Sequence, residues 1–182
     1  MRIITSSCHT FEYTVTTPSP CAVGLSTTEI GVAHRFSDCL VVTIEVEHGD
    51  HVLSNAAVKV IRRVMTQTGA AGIVVDGYLK PPTGSRRTRL GSDLLLELAD
   101  SLDLLAEITS RLAGEYERIH VMPFGWYRNA EAELTSGACG RRSIHLGGDH
   151  VSAAGRVVAA LDVATSQRFR EKPVPSAASM GA

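Results

Sequence analysis

Cys39-Leu40-Val41-Val42-Thr43-Ile44-Glu45-Val46 is an apolar run of strand length, closed by the turn-forming stretch Glu47 to Asp50. Its near-continuous hydrophobicity predicts a strand covered on both faces, inside a sheet. Just downstream, Val58, Ile61, Val64 and Met65 recur at helical spacing, with Lys59, Arg62 and Arg63 on the opposite side. Gly69 stands where such a helix would stop, which predicts a helix over 54–68. Gly72-Ile73-Val74-Val75 then reads as a second, short strand. Strand, helix and strand in immediate succession predict an α/β layer fold.

The same alternation extends outward. Towards the carboxyl end, Ser92 is a plausible N-cap for the run Asp93 to Ala113, whose Leu94, Leu95, Leu98, Leu102, Leu105 and Ile108 form a stripe wide enough to cover a sheet. Tyr116 to Met122, Ala130 to Thr135 and Arg142 to Leu146 read as strands, the last two separated by Gly137 and Gly140. Towards the amino end, Arg2 to Thr5 and Phe11 to Val15 read as the two strands of a hairpin. Thr16 to Asp38, with Pro18, Pro20, Gly24 and Gly31, reads as an ordered loop. Past Gly147 the alternation ends: Val151 to Val163 is compatible with an alanine-rich helix and Lys172 to Ala182 with a tail. The expected organisation is one domain over 1–146 and an extension over 147–182.

Composition narrows the class. A chain of 182 residues with 44% apolar content can bury a full core. A formal net charge of -1 and a pI near 6.6 argue against holding nucleic acid by bulk electrostatics, so any RNA contact would be local. Cys8, Cys21, Cys39 and Cys139 are scattered without C-x-x-C spacing, and no leader pattern opens the chain, so a reduced, cytoplasmic protein is expected. No apolar run approaches the roughly 20 residues that cross a bilayer.

Several groups of residues could carry chemistry. Met122-Pro123-Phe124-Gly125-Trp126-Tyr127-Arg128 puts a fixed angle, a free angle, two aromatics and a cation in succession, a rigid corner with a polar tip. Tyr127 reads equally as a site or a core residue. Cys8 and His9 suggest a thiol and imidazole pair, but neighbours on a strand face opposite ways, whereas Ser7 and His9 would share a face; a packed cysteine and a surface histidine are the plainer account. His48, His51, His145, Asp149 and His150 have donor atoms for zinc at poor spacing, so solvated loops are expected there and no metal. Arg86, Arg87 and Arg89, with Lys80, and then Arg141 and Arg142, form cationic patches that suit phosphate or plain solvent equally. Glu131 and Glu133 are two apart, which suits either an acid and base pair or a solvent-facing strand edge.

Three pieces of the chain together resemble a known family: Met1-Arg2-Ile3-Ile4 with Glu12-Tyr13, the strand and helix Val41 to Val64, and the corner Pro123-Phe124-Gly125-Trp126-Tyr127 followed by a cation. The family is the amino-terminal editing domain of archaeal threonyl-tRNA synthetase, similar in fold to D-aminoacyl-tRNA deacylase. The resemblance runs from Met1 to about Leu146, with an altered loop at Leu79 to Gly91. It implies a sheet with two covering helices, a homodimer, and a deacylase that removes wrongly attached serine from threonine tRNA, with the terminal adenosine seated against the first strands.

By the same resemblance, Tyr127 and Arg128 occupy the positions of a tyrosine and a lysine that hold substrate and attacking water. Tyr78 stands in place of a histidine, Ser7, Cys8 and His9 in place of a histidine, serine and aspartate, and Arg141 near a glutamate. The implied set is therefore Tyr127, Arg128 and Tyr78 for catalysis; Ser7, Cys8, His9, Phe124, Gly125, Trp126 and Arg141 for substrate; and Arg86, Arg87 and Arg89 for tRNA phosphates.

Three functions follow. A deacylase acting in trans on a mischarged tRNA ester needs a positioned water and oxyanion donors, and no metal or cofactor. A repurposed biosynthetic enzyme would use the scaffold on a small amino-acid-derived substrate, which the replaced residues suit. A module that binds an aminoacyl end or a synthetase would need no chemistry.

Overall fold

The computed structural model describes residues 1–80, 91–135, 140–147 and 170–171. Seven strands and two helices follow in the order β1 (Arg2–Pro18), β2 (Ala33–Val46), α1 (Ser54–Thr68), β3 (Gly72–Leu79), α2 (Gly91–Ala113), β4 (Ile119–Val121), β5 (Trp126–Leu134), β6 (Arg141–His145) and β7 (Arg170–Glu171). The sheet runs β4-β3-β2-β1-β5-β7, with β6 also paired to β1. β2, α1 and β3 make the expected strand-helix-strand unit, β3 lying parallel to β2 from Cys39↔Gly72 to Val46↔Leu79. Gly69 ends α1 at a φ of +64°, its amide donating to the Met65 carbonyl over 2.9 Å.

Both helices cover one face. Ala57, Val58, Ile61, Val64 and Met65 of α1 and Leu104, Leu105, Ile108 and Leu112 of α2 pack on Ile3, Leu40, Val42, Ile44, Val46, Ile73 and Val75. Each buried aliphatic side chain of this size contributes about 1.5–3 kcal/mol. The stripe on α2 is shorter than its leucines suggest, because Leu95 is exposed while Leu98 and Leu102 are only partly covered. The first turns of the helix run beyond the surface that the sheet offers them. Leu94 lies outside the described side chains.

The amino-terminal hairpin is not formed. Arg2–Pro18 is one strand, antiparallel to β2 from Arg2↔Glu45 to Thr14↔Ala33. Ser6 to Thr10 contain neither glycine nor proline, and pairing on both edges of β1 holds them extended; β6 flanks Arg2–Ser6 and β5 flanks Cys8–Pro18. β1 is therefore internal, paired with β2 on one edge and with β6 and β5 on the other. The expected loop over 16–38 is shorter for the same reason, since β2 already starts at Ala33.

What sequence periodicity misses is a sharp bend. Against β5 the register slips between Cys8 and Thr10, leaving His9 as the extra residue, and opposite it Asp38 takes a φ of +48°. Inward-facing positions change parity there: Cys8, Cys39 and Val41 share a core with Phe11, Tyr13 and Val15. Arg128 pairs in register with Val15, beyond Ala33 of β2, whereas Asp76 lies beside Thr43, at least ten residues along that strand. A straight strand of that length separates them by roughly 30 Å. Yet Arg128 and Asp76 form an ion pair. The outer halves of β1, β2 and β5 must fold back over the sheet face that the helices leave open, enclosing a second core of Phe11, Tyr13, Val15, Val74, Met122 and Ala132.

Candidate functional site

The corner Met122 to Arg128 sits at the seam between the two halves. Gly125 has a φ of +76°, and a side chain there would meet the Cys21 carbonyl at 2.6 Å and the Ala22 Cα at 2.7 Å. The loop after β1 closes over the corner: the Ser19 amide donates to the Gly125 carbonyl (2.9 Å), the Val23 amide to the Phe124 carbonyl (3.1 Å), and the Trp126 indole to the Val23 carbonyl (2.8 Å). Phe124 is buried in the helix-side core. These three corner residues thus fix the start of β5.

Tyr127 and Arg128, the first residues after the turn, point to opposite faces, as neighbours on a strand must. Tyr127 is 62% exposed. The Arg128 side chain is 8% exposed and turned inward, where it pairs with Asp76, donates to the Tyr78 hydroxyl over 2.6 Å and to the Pro123 carbonyl over 3.4 Å, and lies 5.0 Å from the centre of the Tyr78 ring. Tyr78 in turn donates to Asp76, which closes a triangle of cation, phenol and carboxylate. The two residues do not converge on one cleft from the turn; Arg128 and Tyr78 converge instead, from β5 and β3.

Burial pushes the Asp76 carboxyl up to about 6, against the pull of Arg128 and the bonds from Tyr78 and Arg128. The folded value lies above the ordinary carboxylate value, so between roughly pH 4 and 6 the folded state holds a proton that the unfolded state has released. The stability that comes from holding this proton is then present at the acid end of this window and is lost as pH rises through about 6. Urea unfolding of wild type and Asp76→Asn across pH 4 to 7 will show wild type losing stability relative to the variant as pH rises; the opposite slope would contradict the assignment.

A second polar group adjoins the first. The Tyr13 hydroxyl lies 2.6 Å from His120 Nε2, and Tyr13 stacks on His34 with ring centres 4.8 Å apart. His120 also touches Phe36 at 4.8 Å and His34 at 5.5 Å. Burial raises the Tyr13 phenol to about 12, with Arg128 pulling it down and Asp76 pushing it up, so all three groups share one field. Burial and His34 hold the His120 imidazole below its ordinary value.

The remaining expected residues are dispersed. Ser7 is buried, its amide donating to the Gly140 carbonyl (2.8 Å) and its carbonyl accepting from the Thr135 amide (2.9 Å). Cys8 faces Cys39 directly across β1 and β2, and both are buried free thiols. The contact with Cys39 and burial push the Cys8 thiol well up while the same contact pulls Cys39 down, so Cys8 is a protonated, packed side chain. His9 is exposed, 3.8 Å from Asp38. Arg141 pairs in register with Ser6 and is exposed, and Arg142 donates to Gln67 over 2.6 Å.

Glu131 is exposed and Glu133 half-buried on the outer face, where a depression of about 370 Å³ is lined by Thr10, Glu12, Arg35, Ser37 and both glutamates. Arg86, Arg87, Arg89, Asp149 and His150 lie outside the described residues. Among the described residues no three metal-binding side chains cluster, and no helix is long and apolar enough to cross a membrane.

Sequence reasoning did not single out Asp76, Tyr13 as a polar partner, His34 or His120. Asp76 carried a usable signal, because a carboxylate in the apolar stretch Gly72 to Leu79 must find a partner if the strand is buried. Ending that strand at Val75 removed the signal.

The model of the archaea-specific editing domain of threonyl-tRNA synthetase matches residues 1–137. The chain belongs to this family. The tyrosine-and-cation corner, the β2-α1-β3 unit and the bent β1 all fall within the matched part of this editing-domain chain. Among solved structures, the c-Myc DNA Unwinding Element Binding Protein is similar at a TM-score of 0.51 and 10% identity, over 81% of this chain and 99% of that one. At that identity the likeness concerns the fold alone, which is D-aminoacyl-tRNA deacylase-like. No curated protein is similar enough to this chain to count as a match.

Proposed function

We propose that this editing-domain protein is an aminoacyl-tRNA deacylase acting in trans, which hydrolyses the ester of a mischarged tRNA, seryl-tRNA or one like it. Family membership across residues 1–137 carries the reading. In this reading the acyl ester sits at the seam between the halves of the bent sheet, beside Tyr78 and Arg128. Ester hydrolysis there requires a held water and donors to the developing oxyanion. A guanidinium fixed by Asp76 and Tyr78 is such a donor already oriented, so little reorganisation accompanies the reaction. The exposed ring of Tyr127 offers a stacking surface for the acceptor end, and Arg86, Arg87, Arg89 and Arg141 would meet its phosphates and substrate. Phe124, Gly125 and Trp126 would hold the corner that carries Tyr127 and Arg128. A homodimeric, cytoplasmic enzyme without metal or cofactor completes the proposal.

Incubating the protein with a panel of charged tRNAs tests it. Seryl-tRNA is expected to lose its ester faster with protein than without, and Tyr127→Ala or Tyr78→Phe to slow this by about tenfold or more. No acceleration on any aminoacyl-tRNA would reject the enzyme.

One observation favours a second reading. The charge of Arg128 is matched by Asp76 and nearly sealed from solvent, which suits a strut as well as a catalyst. A module that binds an aminoacyl end without turnover would retain charged tRNA in pull-downs, including after Tyr127→Phe, and leave its ester intact.

A further inference from the structure

Tyr13 is 1% exposed, and its hydroxyl proton must go to an acceptor. Among the described residues its hydrogen-bond partner is His120 Nε2, at 2.6 Å. If Nε2 carried the imidazole proton, the buried Tyr13 proton would be left without an acceptor, which burial disfavours. Tyr13 therefore donates, Nε2 accepts, and the neutral ring carries its proton on Nδ1. That N–H has no described protein acceptor, and the ring is only half-buried, on β4 at the margin of the described sheet. His120 pairs with Val74, so Asp76 lies two residues further along the same face of the neighbouring strand. From there the ion pair to Arg128 begins.

We propose that His120, its tautomer set by Tyr13, is a ligand-binding residue whose Nδ1–H donates to a carbonyl or carboxylate oxygen of the molecule held beside Tyr78 and Arg128. Tyr13 is then a positioning residue that acts through His120. A neutral imidazole donor polarises a carbonyl without bringing a second full charge next to Arg128. His34 and Phe36 pack against the ring and fix its plane. The inference rests on the deacylase reading for the identity of the ligand, an aminoacyl ester of adenosine.

Long-range nitrogen NMR of the imidazoles, with and without the non-hydrolysable 3′-N-seryl amide of 3′-amino-3′-deoxyadenosine, tests it. In wild type, His120 is expected as the Nδ1–H tautomer, and its Nδ1 resonance should move on addition of the amide. Tyr13→Phe should shift the population to Nε2–H and weaken binding of the amide several-fold, and His120→Gln should weaken it similarly. An Nε2–H tautomer in wild type overturns the proposal without any variant having to fold. Binding of the amide with an unmoved Nδ1 overturns it while leaving the deacylase reading intact. Failure of the amide to bind, together with no hydrolysis of charged tRNA, sinks the deacylase reading and this inference with it.

Discussion

Asp76→Ala is expected to melt about 10 °C below the wild-type protein, because it leaves the Arg128 guanidinium inside the seam without a counter-charge. Removing one partner of a buried ion pair costs about 3–5 kcal/mol, and in a chain of this size each kcal/mol moves the melting temperature by about 2–4 °C. The double variant Asp76→Leu with Arg128→Met should recover most of the loss, since no charge then remains in the interior. The pair also joins strands that are distant along the sheet, β5 and β3, so its loss should act on the bend as well as on local solvation. Amide exchange would report this as faster opening of Phe11 to Val15 than of the helix-side strand core at Leu40 to Ile44. Equal stability of Asp76→Ala and wild type would mean that Arg128 is solvated and the seam open.

Gly125→Ala should cost on the order of 3 kcal/mol, measured by urea unfolding. Two terms contribute. The φ of +76° is unfavourable for any side chain, and the added Cβ would press on backbone atoms of Cys21 and Ala22, which cannot swing away as a flexible side chain could. Gly49→Ala separates them: its φ is +87° but nothing lies within 4 Å of the added carbon, so it should cost only about 1 kcal/mol. A Gly125→Ala loss no larger than that of Gly49→Ala would show that the loop over the corner yields, and that the corner is not held rigid from outside.

The contrast between α1 and β1 shows where local reading succeeds. Ser54–Thr68 was legible because four apolar residues at helical spacing and a terminal glycine are all local signals. β1 was misread as two strands because a bulge at His9 reverses which side chains face inward, and alternation that changes phase looks like an interruption. Of the candidate site, the corner was visible from Pro123, Gly125 and the aromatics that follow. The direction of Arg128 was not, since strand alternation separates it from Tyr127 while only the bend brings it to Asp76 and Tyr78.

By itself the sequence determined the α/β class, the β2-α1-β3 unit, the turn at Gly125 and the family resemblance, because hydrophobic period and turn chemistry act over a few residues. Tertiary structure alone decided that β1 is a single internal strand, that Cys8 is packed against Cys39, and that Arg128, Asp76, Tyr78, Tyr13 and His120 share one polar seam. The contacts of that seam join positions some 50 to 110 residues apart, and what brings them together is the folding back of a sheet at one bulge, a displacement that no local pattern of residues encodes.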